Sequence, residues 1–134
     1  MAWKDLPGVS DEGRAFSGTA VYETRFESGP DCAAEWLDLG DVRDFARVFL
    51  NGERIASLWA APYRCRIGGR LKPGRNVLRI EVTSTWFNRL AYDFNQPPEE
   101  RKTWTVWNVG RPPACFRRNA ALADSGLLGP VTLR

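Results

Sequence analysis

Apolar and polar residues alternate along much of this chain with a period of two, the repeat of a strand that buries one face. The clearest stretch is Val48-Phe49-Leu50-Asn51-Gly52-Glu53-Arg54-Ile55, where apolar residues flank an Asn-Gly pair. Asn-Gly tolerates the two positive φ angles of a type I′ turn, so this stretch predicts a two-residue β-hairpin. With Asn51 and Gly52 at the centre, Leu50 faces Glu53, Phe49 faces Arg54 and Val48 faces Ile55, which puts Val48 and Ile55 on one face. Upstream, Phe16 to Phe26 reads as a long strand, and Trp36 to Leu39 as a short one closed by Gly40-Asp41. Downstream, Tyr63, Cys65 and Ile67 alternate with Arg64 and Arg66, and Leu78, Ile80 and Val82 alternate with Arg79, Glu81 and Thr83. Gly129 to Leu133 predicts a closing strand.

Two regions break the pattern. Residues 1–14 are polar and contain glycine, which predicts an irregular lead-in. Between residues 84 and 129, Trp86, Phe87, Tyr92, Phe94, Trp104, Trp107 and Phe116 are mixed with prolines and charges, and the periodicity fades. Long loops that carry large aromatics bind ligands or cover a sheet edge. About eight short strands separated by turn signals predict an all-β chain, an antiparallel β-sandwich of jelly-roll type. Residues 1–134 fit one such domain, since a chain of this size hides roughly two-thirds of its extended surface.

Composition narrows the chemistry. No histidine is present, which excludes Ser-His-Asp and Cys-His catalysis and histidine zinc sites. A glycosidase needs only two facing carboxylates, yet the acidic residues fall in turns and on solvent faces, and no pair is singled out. The net charge is +3, and the arginines alternate with apolar residues along the strands. That spacing reads as a solvated sheet face and argues against a nucleic-acid partner. No apolar run approaches the ~18 residues of a membrane span. Cys65 lies on the apolar side of its strand and reads as a small buried hydrophobe, while Cys32 and Cys115 are left as a pair that sequence cannot join or separate. A structural calcium ion would need carboxylates such as those of Asp31, Asp41 and Asp44, for which turn-capping is the simpler role.

Four ordered segments carry a family resemblance. They are Ser17 to Phe26; Trp36 to Gly40 running on to Val48-Phe49-Leu50-Asn51-Gly52; Leu58-Trp59-Ala60-Ala61-Pro62-Tyr63-Arg64; and Leu71-Lys72-Pro73-Gly74-Arg75-Asn76. Together they resemble the galactose-binding-like β-sandwich known as the glycoside hydrolase family 2 sugar-binding domain. Thr85-Trp86-Phe87-Asn88-Arg89-Leu90, with Tyr92-Asp93, and Ser125 to Val131 are similar to segments of the version at the C-terminal end of family 106 α-L-rhamnosidases. The resemblance implies an accessory domain of a secreted or periplasmic glycosidase, with the catalytic carboxylates in another part of the parent protein. The first residues of the chain lack the apolar stretch of a signal peptide. In family 2 β-galactosidases the loop after the hairpin can supply an acidic residue to the substrate pocket; here Trp59-Ala60-Ala61-Pro62 supplies none.

The partners implied are a rhamnose- or galactose-containing glycan and the catalytic domain of the parent glycosidase. The candidate sugar-binding residues are Trp59 after one strand, Trp86, Asn88 and Arg89 after another, and Trp104 and Trp107 as further walls. An indole covers the apolar C–H face of a sugar ring while neighbouring polar groups orient its hydroxyls. A structural reading stands beside it, in which Arg89 pairs with Asp93, Asn88 fixes a bend and Trp59, like Trp36, packs on an edge.

Overall fold

The structure, a computed structural model, describes residues 1–104 and 121–134. The chain divides into two compact units, Thr19–Ser84 with Ser125–Arg134, and Met1–Gly18 with Thr85–Asp124.

The first of these, the β unit, holds nine strands: β1 Thr19–Ser28, β2 Trp36–Asp38, β3 Asp41–Arg43, β4 Phe45–Leu50, β5 Glu53–Leu58, β6 Arg64–Arg66, β7 Gly74–Thr83, β8 Gly126–Gly129 and β9 Thr132–Leu133. They form a four-stranded sheet in the order β1-β7-β4-β5, a three-stranded sheet β6-β2-β9 and a pair β3-β8. Every strand pair is antiparallel, as the alternating pattern requires. β7 shows why: Asn76, Leu78, Ile80 and Val82 are buried, and each residue between them is partly open. Ala46, Val48 and Leu50 of β4 stand beside Val82, Ile80 and Leu78 and continue the buried row. Leu37, Leu39, Val42, Cys65 and Ile67 complete the core of this unit, so Cys65 is the buried hydrophobe its position implied. Burial pushes its thiol pKa up, away from reactivity. Cys32 is exposed, and Cys115 lies outside the described residues.

The hairpin forms at Asn51-Gly52, with φ of 52° and 87°. Leu50 pairs with Glu53 and Phe49 with Arg54, but Val48 pairs with Ala56 and not with the expected Ile55. A bulge takes up one residue of β5. Unbulged pairing would have set Ser57 opposite buried Ala46; the extra residue sets Leu58 there instead, since a one-residue shift exchanges the two faces of a strand. The expected closing strand is divided into β8 and β9 around Gly129-Pro130, where Gly129 has φ of 70°.

The second unit is small and partly helical. The expected irregular lead-in contains a 3₁₀ turn, Trp3–Asp5, and a single helical turn, α1, Asp11–Arg14, whose Ser10 cap accepts from Gly13 N–H at 3.2 Å. Trp3 is buried and packs its ring 5.1 Å from that of Phe16. The aromatic-rich region expected as loop contains an eight-residue helix, α2, Phe87–Phe94.

Candidate functional site

Helix α2 carries most of the polar candidates, and its sequence sets what each can do. Trp86 is the N-cap residue and leaves 59% of its surface open. Asn88, two positions on, is buried. Its amide donates to the Ala123 carbonyl at 2.9 Å and accepts from the Ala123 N–H at 2.8 Å, as a strand neighbour would. Asn88 therefore ties the helix to residues 35 positions away in the chain.

Arg89 and Asp93 are one helical turn apart, which places them side by side. Arg89 meets the Asp93 carboxylate with two nitrogens, at 2.7 and 3.2 Å, and Glu12 of α1 with its third, at 3.0 Å. Asp93 also accepts from the Thr103 hydroxyl at 2.6 Å and the Lys102 N–H at 3.2 Å. Burial pushes the Asp93 pKa up, but the Thr103 hydroxyl and the Arg89 guanidinium outweigh it and hold the carboxyl below the usual aspartate range. Glu12 lies below its usual range as well, chiefly through the Lys102 ammonium and then Arg89.

Beside this cluster lies a polar cleft of about 280 Å³ lined by Glu12, Arg89, Tyr92, Gln96, Glu100 and Lys102. Trp104 follows Thr103 and is 63% open. The second unit thus brings together Trp86, Asn88 and Arg89 on one helix, with Trp104 in the segment that Asp93 fastens. Asn88 and Arg89 spend their polar groups inside the protein; the indoles of Trp86 and Trp104 do not spend their faces in a core. Trp59, 76% open, follows β5 in the β unit, and Trp107 lies outside the described residues. Trp36 is 43% open with the Arg64 guanidinium 5.3 Å above its ring. The sequence reading missed Glu12, Gln96, Glu100 and Lys102. Only the Arg89-to-Asp93 spacing hinted at a charged cluster.

The residues considered for calcium do not assemble a site. Asp41 gives both carboxylate oxygens to Arg43, each at 2.9 Å, and among the described residues no three histidine, cysteine or acidic side chains converge as metal ligands.

The family model "Glycosyl hydrolase 2 galactose-binding domain-like" matches residues 14–124. A protein of Formosa agariphila provisionally assigned as a beta-glucuronidase is 36% identical over 152 aligned positions, covering 97% of this chain and 13% of the relative. A solved rhamnosidase from Novosphingobium sp. PP1Y is 37% identical with a TM-score of 0.78, covering 98% of this chain and 12% of that one. A beta-D-glucuronidase of Dictyoglomus thermophilum shares the fold over 63% of this chain, at 20% identity and a TM-score of 0.55. The chain therefore spans about an eighth of the length of the Formosa and Novosphingobium proteins.

Proposed function

This chain belongs to the galactose-binding-like domains of the glycosyl hydrolase 2 type, and from that membership we propose that it is a non-catalytic carbohydrate-binding domain of a bacterial glycoside hydrolase. The observation that carries the reading is the exposure of Trp86 and Trp104, 59% and 63% open, in a unit whose other indole among the described residues, Trp3, is buried. A tryptophan held at a helix cap with its face open is a platform for the C–H side of a sugar ring. The cleft beside Arg89, on the helix that Trp86 caps, offers Gln96 and Glu100 for hydroxyls, while the Lys102 ammonium there is paired with Glu12. The glycan contains rhamnose or galactose, and the partner protein is the catalytic domain of the parent glycosidase. A parent acting on extracellular polysaccharide would be secreted or periplasmic.

A second reading, a structural domain that packs on its parent and binds no sugar, is favoured by one observation. Asn88 and Arg89, the polar candidates that follow Trp86 in sequence, are committed to internal partners. Affinity electrophoresis separates the two readings. Gels cast with rhamnose- or galactose-rich polysaccharide should retard the chain, and changing Trp86 and Trp104 to alanine should restore free mobility. A chain that runs unretarded in every such gel is the structural domain.

A further inference from the structure

In the β unit, the hairpin turn at Asn51-Gly52 and the turn at Gly69 to Lys72 border a cleft of about 390 Å³, near the small end of the ~300–1,000 Å³ of ligand sites. Its lining combines two cations, Arg70 and Lys72, one carboxylate, Glu53, and the aliphatic side chains of Ile55 and Leu71. Arg70 is turned onto Glu53 at 3.0 Å. Lys72 is different: it makes no ion pair among the described residues, although its main chain is fixed three times over. Its N–H donates to Asn76 Oδ1 at 3.0 Å, and its carbonyl accepts from Asn76 Nδ2 and from Ser28 Oγ, each at 2.7 Å. The fold therefore holds the base of this exposed lysine in place while leaving its charge without an ion-pair partner among the described residues. Ile55, the residue set aside by the β5 bulge, lines the same cleft, and bulges commonly re-aim a side chain toward a site.

We propose that this cleft binds a carboxylated sugar residue, a uronic acid, with Lys72 meeting the carboxylate and Ile55 and Leu71 covering the C–H side of the ring. A cation beside a small aliphatic surface suits a compact ring that carries one negative charge; a neutral sugar would leave the ammonium unmatched. The inference goes beyond the exposed-indole platform, because none of those tryptophans lines this cleft.

The test is an NMR titration of the isotope-labelled 134-residue chain with glucuronate, galacturonate, galactose and acetate. Both uronates should give saturable shifts at Gly69 to Lys72 and at the Ile55 methyls, and galactose and acetate should not. Lys72→Gln keeps the main-chain bonds to Asn76 and should fold normally while weakening uronate binding about tenfold, the value of one charge-assisted contact. Arg70→Gln should weaken it less, since Arg70 already serves Glu53. The proposal is overturned if neither uronate shifts these residues, if acetate matches the uronates, or if Lys72→Gln binds like the parent. It is equally overturned if a short glutamate peptide binds more tightly than the uronates, which would make the cleft a docking point for an acidic protein.

Discussion

Asn51 and Asn76, 25 residues apart, share a side-chain hydrogen bond of 2.9 Å that ties the hairpin turn to the start of β7. Asn51 also accepts from the Val77 N–H at 2.9 Å. Asn76 is fully buried, and its amide donates to Ser28 Oγ, Lys72 O and Gly74 O at 2.7 to 3.0 Å. One buried amide thus satisfies groups from four separate points of the chain, and it holds both turns that border the Lys72 cleft.

Replacing Asn76 with alanine removes partners from half-buried groups of Asn51, Ser28 and Gly74 and leaves the Lys72 carbonyl only its bond from Ser28 Oγ; a lost partner costs up to about 1–3 kcal/mol where water cannot replace it. Asn76→Ala should lower stability by about 3 kcal/mol or more, read from the urea midpoint. Asn76→Asp should cost at least as much at neutral pH, because a carboxylate cannot donate to the Lys72 and Gly74 carbonyls.

The turn itself gives a cleaner contrast. A Cβ on Gly52 would meet nothing within 4 Å, so only its φ of 87° resists substitution. Gly52→Asn should stay within about 0.5 kcal/mol of the parent, and Gly52→Val should lose about 1 kcal/mol or more, because a β-branched residue resists positive φ. Equal melting of the two variants would contradict the type I′ assignment.

Asp93 sets an acid limit on the second unit. Its folded pKa lies below the ordinary value of 3.8, so its contribution is complete above about pH 4 and is lost as pH falls through the lower folded value. The protection of α2 amides, taken relative to their intrinsic exchange at each pH, should fall below about pH 4 in the parent. Asp93→Asn should show weaker protection already at neutral pH, with a cost of about 3 kcal/mol for opening a buried ion pair, and little further change on acidification.

The isolated chain should hydrolyse no glycoside. With no histidine in the sequence, only a carboxylate pair could act, and the most buried acid, Asp93, is spent on Arg89, Thr103 and Lys102. Incubation with aryl rhamnosides and galactosides should release no more phenol than buffer. Turnover abolished by one Asp or Glu substitution would contradict this.

How much of this was legible in the sequence depended on range. The Asn51-Gly52 turn and the buried row of β7 are local patterns, and both read directly. The bulge was not legible, because it depends on whether Ser57 or Leu58 stands opposite Ala46. Helix α2 was hidden for a related reason: its buried residues include Asn88 and Asp93, polar side chains that break the apolar period and are satisfied by Ala123, Lys102 and Thr103. Trp86 was legible as an aromatic beyond a strand end. The internal commitments of Asn88 and Arg89 were visible only as an alternative, since their partners Ala123 and Glu12 lie 35 and 77 residues away.

Sugar binding is tested most directly by following the tryptophan indole N–H signals while rhamnose, galactose and pectic oligosaccharides are added to the parent chain and to Trp86→Ala. One stacked ring with a few water-competed hydrogen bonds supplies about 4 kcal/mol, so saturation should come near ~1 mM. The Trp86 and Trp104 signals should move together in the parent. Trp86→Ala should keep the parent's fold, because a residue this open contributes little to a core, and should lose the response at Trp104. Indole signals that stay still with every sugar, or a Trp86→Ala chain that unfolds, would contradict the carbohydrate-binding reading and leave a structural domain.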